Sequence, residues 1–153
     1  HVLSLEHLWN RVRVQGGAYG TGMIVRDSGF AGFYSYRDPT ALRTIGCFEE
    51  SPGYLRGLTG QDMTGRIIGT VAESEPVLTV RLMGRAADGL YWSETTQEDR
   101  CRRRREILDT TGEDLVSLAD RLEELEQTAS LCVVGSRSQI EQCGELLEEI
   151  SEL

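Results

Sequence analysis

Arg13 and Tyr19 are the side chains whose types and spacing are best suited to chemistry in this sequence. An arginine presents a rigid fork of N–H donors, and a tyrosine presents one phenolic donor. Together such groups bind a peptide carbonyl oxygen or stabilise the oxyanion that develops from it. Gly16, Gly17 and Ala18 lie between them, which predicts a bend beside an open surface. The alternative is a surface ion pair for the arginine and plain packing for the tyrosine.

Nucleophilic catalysis and nucleotide binding are both disfavoured. The only histidines are His1 and His7, so a serine or cysteine nucleophile has few groups to accept its proton, and no GxSxG sequence occurs. The segment GGAYGTG at 16–22 is rich in glycine. It follows a predicted helix and precedes a predicted hairpin, whereas phosphate-binding loops follow a strand and open a helix.

A zinc site is not indicated within the chain. Neither HExxH nor HxxEH is present, and LSLEH at 3–7 has a leucine where the inverted motif needs its first histidine. His7 is then expected on a helix surface or on the substrate side. The four cysteines include no CxxC pair. Cys132 in an apolar run and Cys143 on an apolar helix face predict reduced thiols and a reducing compartment, cytoplasmic or an organellar matrix.

Composition limits the partners. A chain of 153 residues predicts one domain over 1–153, and a net charge of -9 argues against nucleic-acid binding. The basic run 102–105 points around a whole helix and makes no single stripe. No apolar run approaches the roughly 20 residues that span a bilayer, so no membrane partner is expected. The chain opens on His1 without a signal peptide, which suggests a piece of a longer protein.

The elements that must position Arg13 and Tyr19 are a helix and a hairpin. An apolar stripe of Leu5, Leu8, Trp9 and Val12 predicts a helix that ends at 16–17. Segments 21–26 and 30–36 are β-branched and aromatic, and Asp27, Ser28 and Gly29 between them predict a turn.

Helices dominate the rest of the chain. A helix is predicted to begin at Pro39, to bury Leu42, Ile45 and Phe48, and to be interrupted at 52–53. Capping boxes predict the starts of four further helices, at Thr59 with Asp62, Thr95 with Glu98, Thr111 with Asp114 and Ser138 with Glu141. Segment 77–92 fits a strand or a helix, and the preceding Pro76 favours the helix. One helical stripe is formed by Leu115, Leu118, Leu122 and Leu125. The short apolar run 131–134 predicts a strand that is covered on both faces. The last predicted helix has an apolar face made of Ile140, Cys143, Leu146, Leu147 and Ile150.

The predicted fold class is therefore α/β (α+β), with helices packed on one face of a small antiparallel or mixed sheet. Three strands cannot cover so many apolar helical faces. We expect the sheet to be completed by residues upstream of His1, or an apolar face to form an interface with possible self-association.

Four strings carry a family resemblance. VRVQGGAYG at 12–20, SYRDP at 35–39, IIGTVAE at 67–73 and EDRCRRRREIL at 98–108 resemble the presequence protease branch of the pitrilysin and insulinase superfamily. The resemblance implies a zinc metalloendopeptidase of two halves around a chamber, whose metal belongs to the first domain, while this chain resembles the fourth. It implies that Arg13 and Tyr19 reach the active site, bind the substrate backbone and assist at the transition state.

Three functional hypotheses follow. In the first, the chain is the part of a zinc endopeptidase that binds unfolded peptide substrates and assists at the transition state through Arg13 and Tyr19. The zinc site is then supplied by the N-terminal half, no metal is bound here, and the chain alone is expected to be inactive. In the second, it is a non-catalytic structural or interaction module of the same superfamily. In the third, it is a stand-alone regulatory or oligomerisation domain, which would require a well-covered sheet.

Overall fold

The computed structural model describes residues 1–26 and 28–152. They form two compact units, the first made of His1–Gly60 with Glu113–Leu153 and the second of Gln61–Gly112. Asp27, part of the predicted turn, lies outside the described residues. The prediction of one domain over 1–153 stays a prediction.

The first unit opens with a π-helix, Leu3–Val14. A π-helix closes its hydrogen bonds over five residues and is wider than an α-helix. Its buried side chains accordingly recur at spacings of four and five, at Leu3, His7, Leu8 and Val12. The predicted helix is confirmed, but its predicted stripe is wrong at Leu5 and Trp9, which are 53% and 40% exposed.

A β-hairpin follows, as the sequence predicts. Strands β1 (Gly20–Val25) and β2 (Ala31–Tyr36) pair antiparallel, with Gly20 opposite Tyr36 and Gly22 opposite Tyr34. Residues two apart on a strand share a face, so both tyrosines lie on one face of the hairpin. Ser4 attaches the π-helix to β1 because its Oγ accepts the N–H of Met23 at 3.0 Å.

Helices α1 (Ala41–Glu49) and α2 (Ser51–Arg56) pack against the π-helix. Pro52 lies in the first turn of α2, where its missing N–H does no harm. On α1 the buried residues are Thr44 and Cys47, and Leu42 of the predicted face is 45% exposed. The least exposed apolar side chains of this unit are Leu8, Val12 and Leu55 together with Ala119 and Cys143, so its core includes both its N-terminal and its C-terminal parts.

The C-terminal part of the first unit contains α6 (Gly112–Thr128), α7 (Arg137–Gln142) and a 3₁₀ turn (Gly144–Leu146). The predicted α6 stripe is buried at Leu115 and Leu122, while Leu118 is 41% exposed. Arg56 of α2 donates hydrogen bonds to Glu123 and Asp120 of α6, and this contact lowers the pKa of the Glu123 carboxyl. The pair is exposed, so its contribution to stability is small.

Two predictions near the C-terminus are wrong. Segment 131–134 forms no strand, and Leu131 and Val134 are 43% and 77% exposed, with Cys132 exposed between them. The physical reason is that β1 and β2 pair only with each other in the described chain, which leaves this segment without a neighbour. The last helix begins earlier than predicted, after Ser136, and ends at Gln142, so Ile150 lies beyond it.

The second unit contains α3 (Thr64–Ser74), α4 (Val80–Trp92) and α5 (Gln97–Leu108). Helix α4 confirms the helical reading of 77–92. The capping box of α5 is Thr96 with Asp99, one residue later than predicted, and hydrogen bonds from Thr96 lower the pKa of Asp99 to about 2. The predicted Thr59 box is wrong, because α3 begins at Thr64, and the Asp62 carboxylate accepts hydrogen bonds from the N–H and hydroxyl of Thr64.

The α/β class is confirmed, because most of the described chain is helical and β1 and β2 form one small antiparallel sheet in the first unit. Within the described part of the chain, no helix combines the length and apolar character needed to cross a membrane. All four cysteines are free; Cys47 and Cys143 are buried, and Cys101 and Cys132 are exposed.

Candidate functional site

The bend between Arg13 and Tyr19 is tightly determined by its backbone. Gly17 donates its N–H to the carbonyl of Arg13 at 3.0 Å, and Ala18 donates to Val12 at 3.2 Å. Gly17 has a φ of +81°, in the left-handed region that favours glycine. A Cβ at Gly16 would lie 2.4 Å from the carbonyl oxygen of Val12, so no larger residue fits without a backbone shift. The glycine pair therefore fixes where the chain leaves the helix and enters β1.

The sequence suggested that the small Ala18 leaves the adjacent surface open, and this expectation is wrong. It is only 3% exposed and belongs to the core of the first unit. Its small side chain instead lets the bend pack against the body of the unit. The openness around the site comes from Tyr19, which is 65% exposed.

Arg13 is held by an aromatic ring that sequence reasoning assigned to the core. Its guanidinium carbon lies 3.9 Å from the ring centroid of Trp9, one turn earlier on the same helix. This distance is a close cation–π contact, which orients a guanidinium without consuming its N–H donors. The structure records no ion pair or side-chain hydrogen bond for Arg13 within the described residues. Its donors are therefore available to a ligand, and the surface ion pair that formed the alternative is not present there.

Tyr19 is held through its backbone and its ring by the end of β2. Its N–H is shared between the carbonyl oxygens of Tyr36 at 3.1 Å and Arg37 at 3.3 Å. Its ring meets the Tyr36 ring edge to face, with centroids 6.1 Å apart, and the guanidinium carbon of Arg37 lies 5.7 Å from the Tyr19 centroid. No described residue bonds the Tyr19 hydroxyl. That hydroxyl is free to donate to a bound carbonyl.

The structure places Arg13 and Tyr19 in one unit at the two ends of one bend, and records no contact between their side chains. Each is instead fixed by its own aromatic neighbour. Trp9, Tyr36 and Arg37 are thus the site residues that sequence reasoning missed. The i, i+4 spacing of Trp9 and Arg13 and the position of Tyr36 and Arg37 at the end of the hairpin are signals that would have found them.

His7 is neither a surface nor a substrate-side residue, contrary to expectation. It is 8% exposed, its ring stacks on Tyr54 at 4.8 Å, and its Nε2 is hydrogen bonded to the carbonyl of Cys47 at 2.9 Å. Tyr54 in turn donates to Glu6 at 2.6 Å. These residues join the π-helix to α1 and α2. The described residues contain no group of three His, Cys, Asp or Glu side chains arranged to hold a metal ion.

Comparison with known proteins places this chain in a family. The model of the PreP C-terminal domain matches residues 2–137. Protein HypA of Clostridium perfringens is 33% identical over 151 residues, which are 97% of this chain and 16% of that protein. Presequence protease 1 of Arabidopsis thaliana, chloroplastic/mitochondrial, is 33% identical over 143 residues, 91% of this chain and 13% of that protein. The mitochondrial presequence protease of Yarrowia lipolytica is 30% identical over 122 residues, 78% of this chain and 12% of that protein.

The match covers most of the chain and includes the helix, the bend and the hairpin that carry the site. The chain is therefore a domain of a peptidase family. The chain belongs to the family of presequence protease C-terminal domains. It spans about a sixth or less of the length of these relatives.

Proposed function

We propose that this chain is the C-terminal domain of a longer zinc metalloendopeptidase, the parent, and that it binds the backbone of unfolded peptide substrates through Arg13 and Tyr19. The observation that carries the proposal is that both side chains are oriented by aromatic contacts while their hydrogen-bond donors remain unused by described residues. Donors that are held in place but unpaired are suited to a ligand.

The two side chains would act on one peptide bond in different ways. The guanidinium of Arg13 donates two N–H groups toward a carbonyl oxygen and carries a full positive charge, which suits both the neutral carbonyl and its oxyanion. The hydroxyl of Tyr19 donates one hydrogen bond that strengthens as negative charge develops on that oxygen. Because both groups are positioned before substrate arrives, little reorganisation is needed in the transition state.

The residues of this chain do not fit the zinc ion itself. The sequence lacks HxxEH, and His7 is buried with its Nε2 bonded to a backbone carbonyl. We therefore assign the metal, its ligands and the attacking water to the N-terminal half of the parent. That half is the main partner proposed for this chain, together with peptide substrates. The plant and yeast relatives are named as chloroplastic or mitochondrial proteins, which supports an organellar compartment, whereas the bacterial relative supports the cytoplasmic alternative. The free cysteines fit a reducing compartment of either kind.

Peptide binding without cleavage tests this function. The parent, with its metal removed by a chelator, would be titrated with a fluorescently labelled unstructured peptide. A hydrogen bond from the charged guanidinium contributes about 1.5 kcal/mol or more, and the neutral hydroxyl adds a smaller amount. We therefore expect the double variant Arg13→Ala with Tyr19→Ala to bind at least about tenfold more weakly.

Arg11→Ala is the matched control, because Arg11 lies on the same π-helix and forms an exposed ion pair with Glu50 at 2.8 Å. Its peptide affinity should equal that of the unaltered parent. Equal affinity of the double variant and the control, with both proteins folded by circular dichroism, would refute the binding role.

A further inference from the structure

Arg37 lies where β2 ends, beside the exposed face of the hairpin. Its guanidinium carbon is 5.7 Å from the ring centroid of Tyr19 and 5.4 Å from that of Tyr36, so it contacts both rings of the edge-to-face pair. Its carbonyl oxygen also accepts the Tyr19 N–H. Within the described chain its guanidinium has no ion pair and no hydrogen bond. The recorded contacts of this cation are thus the two tyrosine rings.

The backbone at Arg37 is strained. Its φ is +48°, a left-handed conformation that residues with a side chain adopt rarely and at a cost. Among the described residues of the first unit, the other positions with a positive φ are all glycines, namely Gly17, Gly29 and Gly60. Glycine would satisfy the backbone at 37 equally well or better. The arginine therefore contributes something that backbone geometry alone does not require.

We propose that Arg37 is a positioning residue for Tyr19. Its cation fixes the Tyr19 ring against Tyr36 and so keeps the phenolic donor directed at the substrate carbonyl. The proposal rests on the function assigned to Tyr19 above. A ring that is 65% exposed would otherwise rotate among side-chain rotamers, and the hydroxyl would spend part of its time away from the reacting oxygen.

Kinetics of the zinc-containing parent on an unstructured peptide test the proposal. Loss of an exposed cation–π contact corresponds to about a three- to fivefold change, and we expect Arg37→Ala to lower kcat by this factor with little change in KM. Arg37→Lys keeps a cation over the rings and should restore most of the rate. Arg37→Gly removes the cation but relieves the strain, so it should lower kcat without lowering the thermal midpoint. A merely structural role would leave Arg37→Gly fully active.

Arg26→Ala provides the matched control, because Arg26 lies 5.7 Å over the ring of Phe30 at the other end of the hairpin. It should leave kcat unchanged. The decisive measurement combines Arg37→Ala with Tyr19→Phe. If Arg37 acts through the Tyr19 hydroxyl, Arg37→Ala should have no further effect on kcat once that hydroxyl is absent.

The outcomes separate this inference from the proposed function. An undiminished kcat in Tyr19→Phe alone would overturn both. Two results would overturn only the positioning role, provided that Tyr19→Phe is slow. One is a fully active Arg37→Gly variant, and the other is an Arg37→Ala variant that lowers kcat by the same factor in the Tyr19→Phe background as in the unaltered parent. A slow Arg37→Gly variant, together with an Arg37→Ala defect that vanishes in the Tyr19→Phe background, would support it.

Discussion

Tyr19→Phe in the full-length parent should lower kcat by about a hundredfold, because removal of one oxyanion donor costs about 3 kcal/mol of transition-state stabilisation. The substitution keeps the ring, so the edge-to-face contact with Tyr36 and the cation of Arg37 stay in place. Only the hydroxyl, which no described residue bonds, is lost. Steady-state hydrolysis of an unstructured peptide measures the effect.

Bound zinc should stay unchanged in the same preparation, since the metal is assigned to the other half of the parent. Metal analysis of the purified variant provides this check. Tyr34→Phe is the matched control, because it removes a hydroxyl from another exposed tyrosine of the same hairpin that has no assigned role in the site. An unaltered kcat in Tyr19→Phe would exclude the proposed role of the hydroxyl, and a loss of zinc would show that the rate reports on the metal site instead.

Arg13→Ala should lower kcat/KM by about 30- to 100-fold, the equivalent of losing about 2 to 3 kcal/mol of charged hydrogen bonding. The charged arginine binds the carbonyl strongly in the ground state as well as in the transition state, whereas the hydrogen bond from the tyrosine strengthens mainly as negative charge develops. Part of the loss should therefore appear as a higher KM. Initial rates over a range of peptide concentrations separate the two parameters.

Arg13→Lys sharpens this test. Lysine keeps the charge but lacks the planar fork, so it should recover only a small part of kcat/KM. If Arg13→Lys recovered the full kcat/KM, charge alone would explain the role of Arg13. That result would contradict the proposed contact through two N–H groups of the guanidinium. Arg11→Ala again controls for a change in the charge of the helix, and it should behave as the unaltered parent.

The predictability of the fold differed between local and long-range features. The hairpin at 21–36 and the helices at 80–92, 97–108 and 112–128 follow from periodicity, turn residues and capping, which are local. Segment 131–134 misled because an apolar run is a strand only if another strand lies beside it. That condition depends on the rest of the molecule and cannot be read from the run itself.

The first helix shows a subtler failure. A 3.6-residue period predicts that Leu5 and Trp9 are buried, but the wider π-helix turns both outward and brings Leu3 and His7 into the core. Nothing in the sequence specified the wider helix. The consequence is functional, because the exposed Trp9 is the ring that holds Arg13.

The site was predictable in its two principal residues only as a hypothesis. Their types and spacing suggested a carbonyl-binding pair, and family resemblance assigned the role. Their supporting contacts needed coordinates, since Tyr36 and Arg37 reach Tyr19 only through the pairing of β1 with β2. A stand-alone domain was expected to have a well-covered sheet. The sheet of the described chain has only two strands, so each strand has one edge without a partner strand, which counts against that hypothesis.

Photo-crosslinking at position 19 tests most directly whether this domain touches the substrate backbone. The parent would carry p-benzoylphenylalanine in place of Tyr19, or in place of Phe30 as a control that is similarly exposed at 55% and lies at the other end of the same hairpin. On illumination with an unstructured peptide, we expect a covalent peptide adduct at position 19, none at position 30, and loss of the adduct when excess unlabelled peptide competes. No adduct at position 19, or equal adducts at both positions, would contradict it.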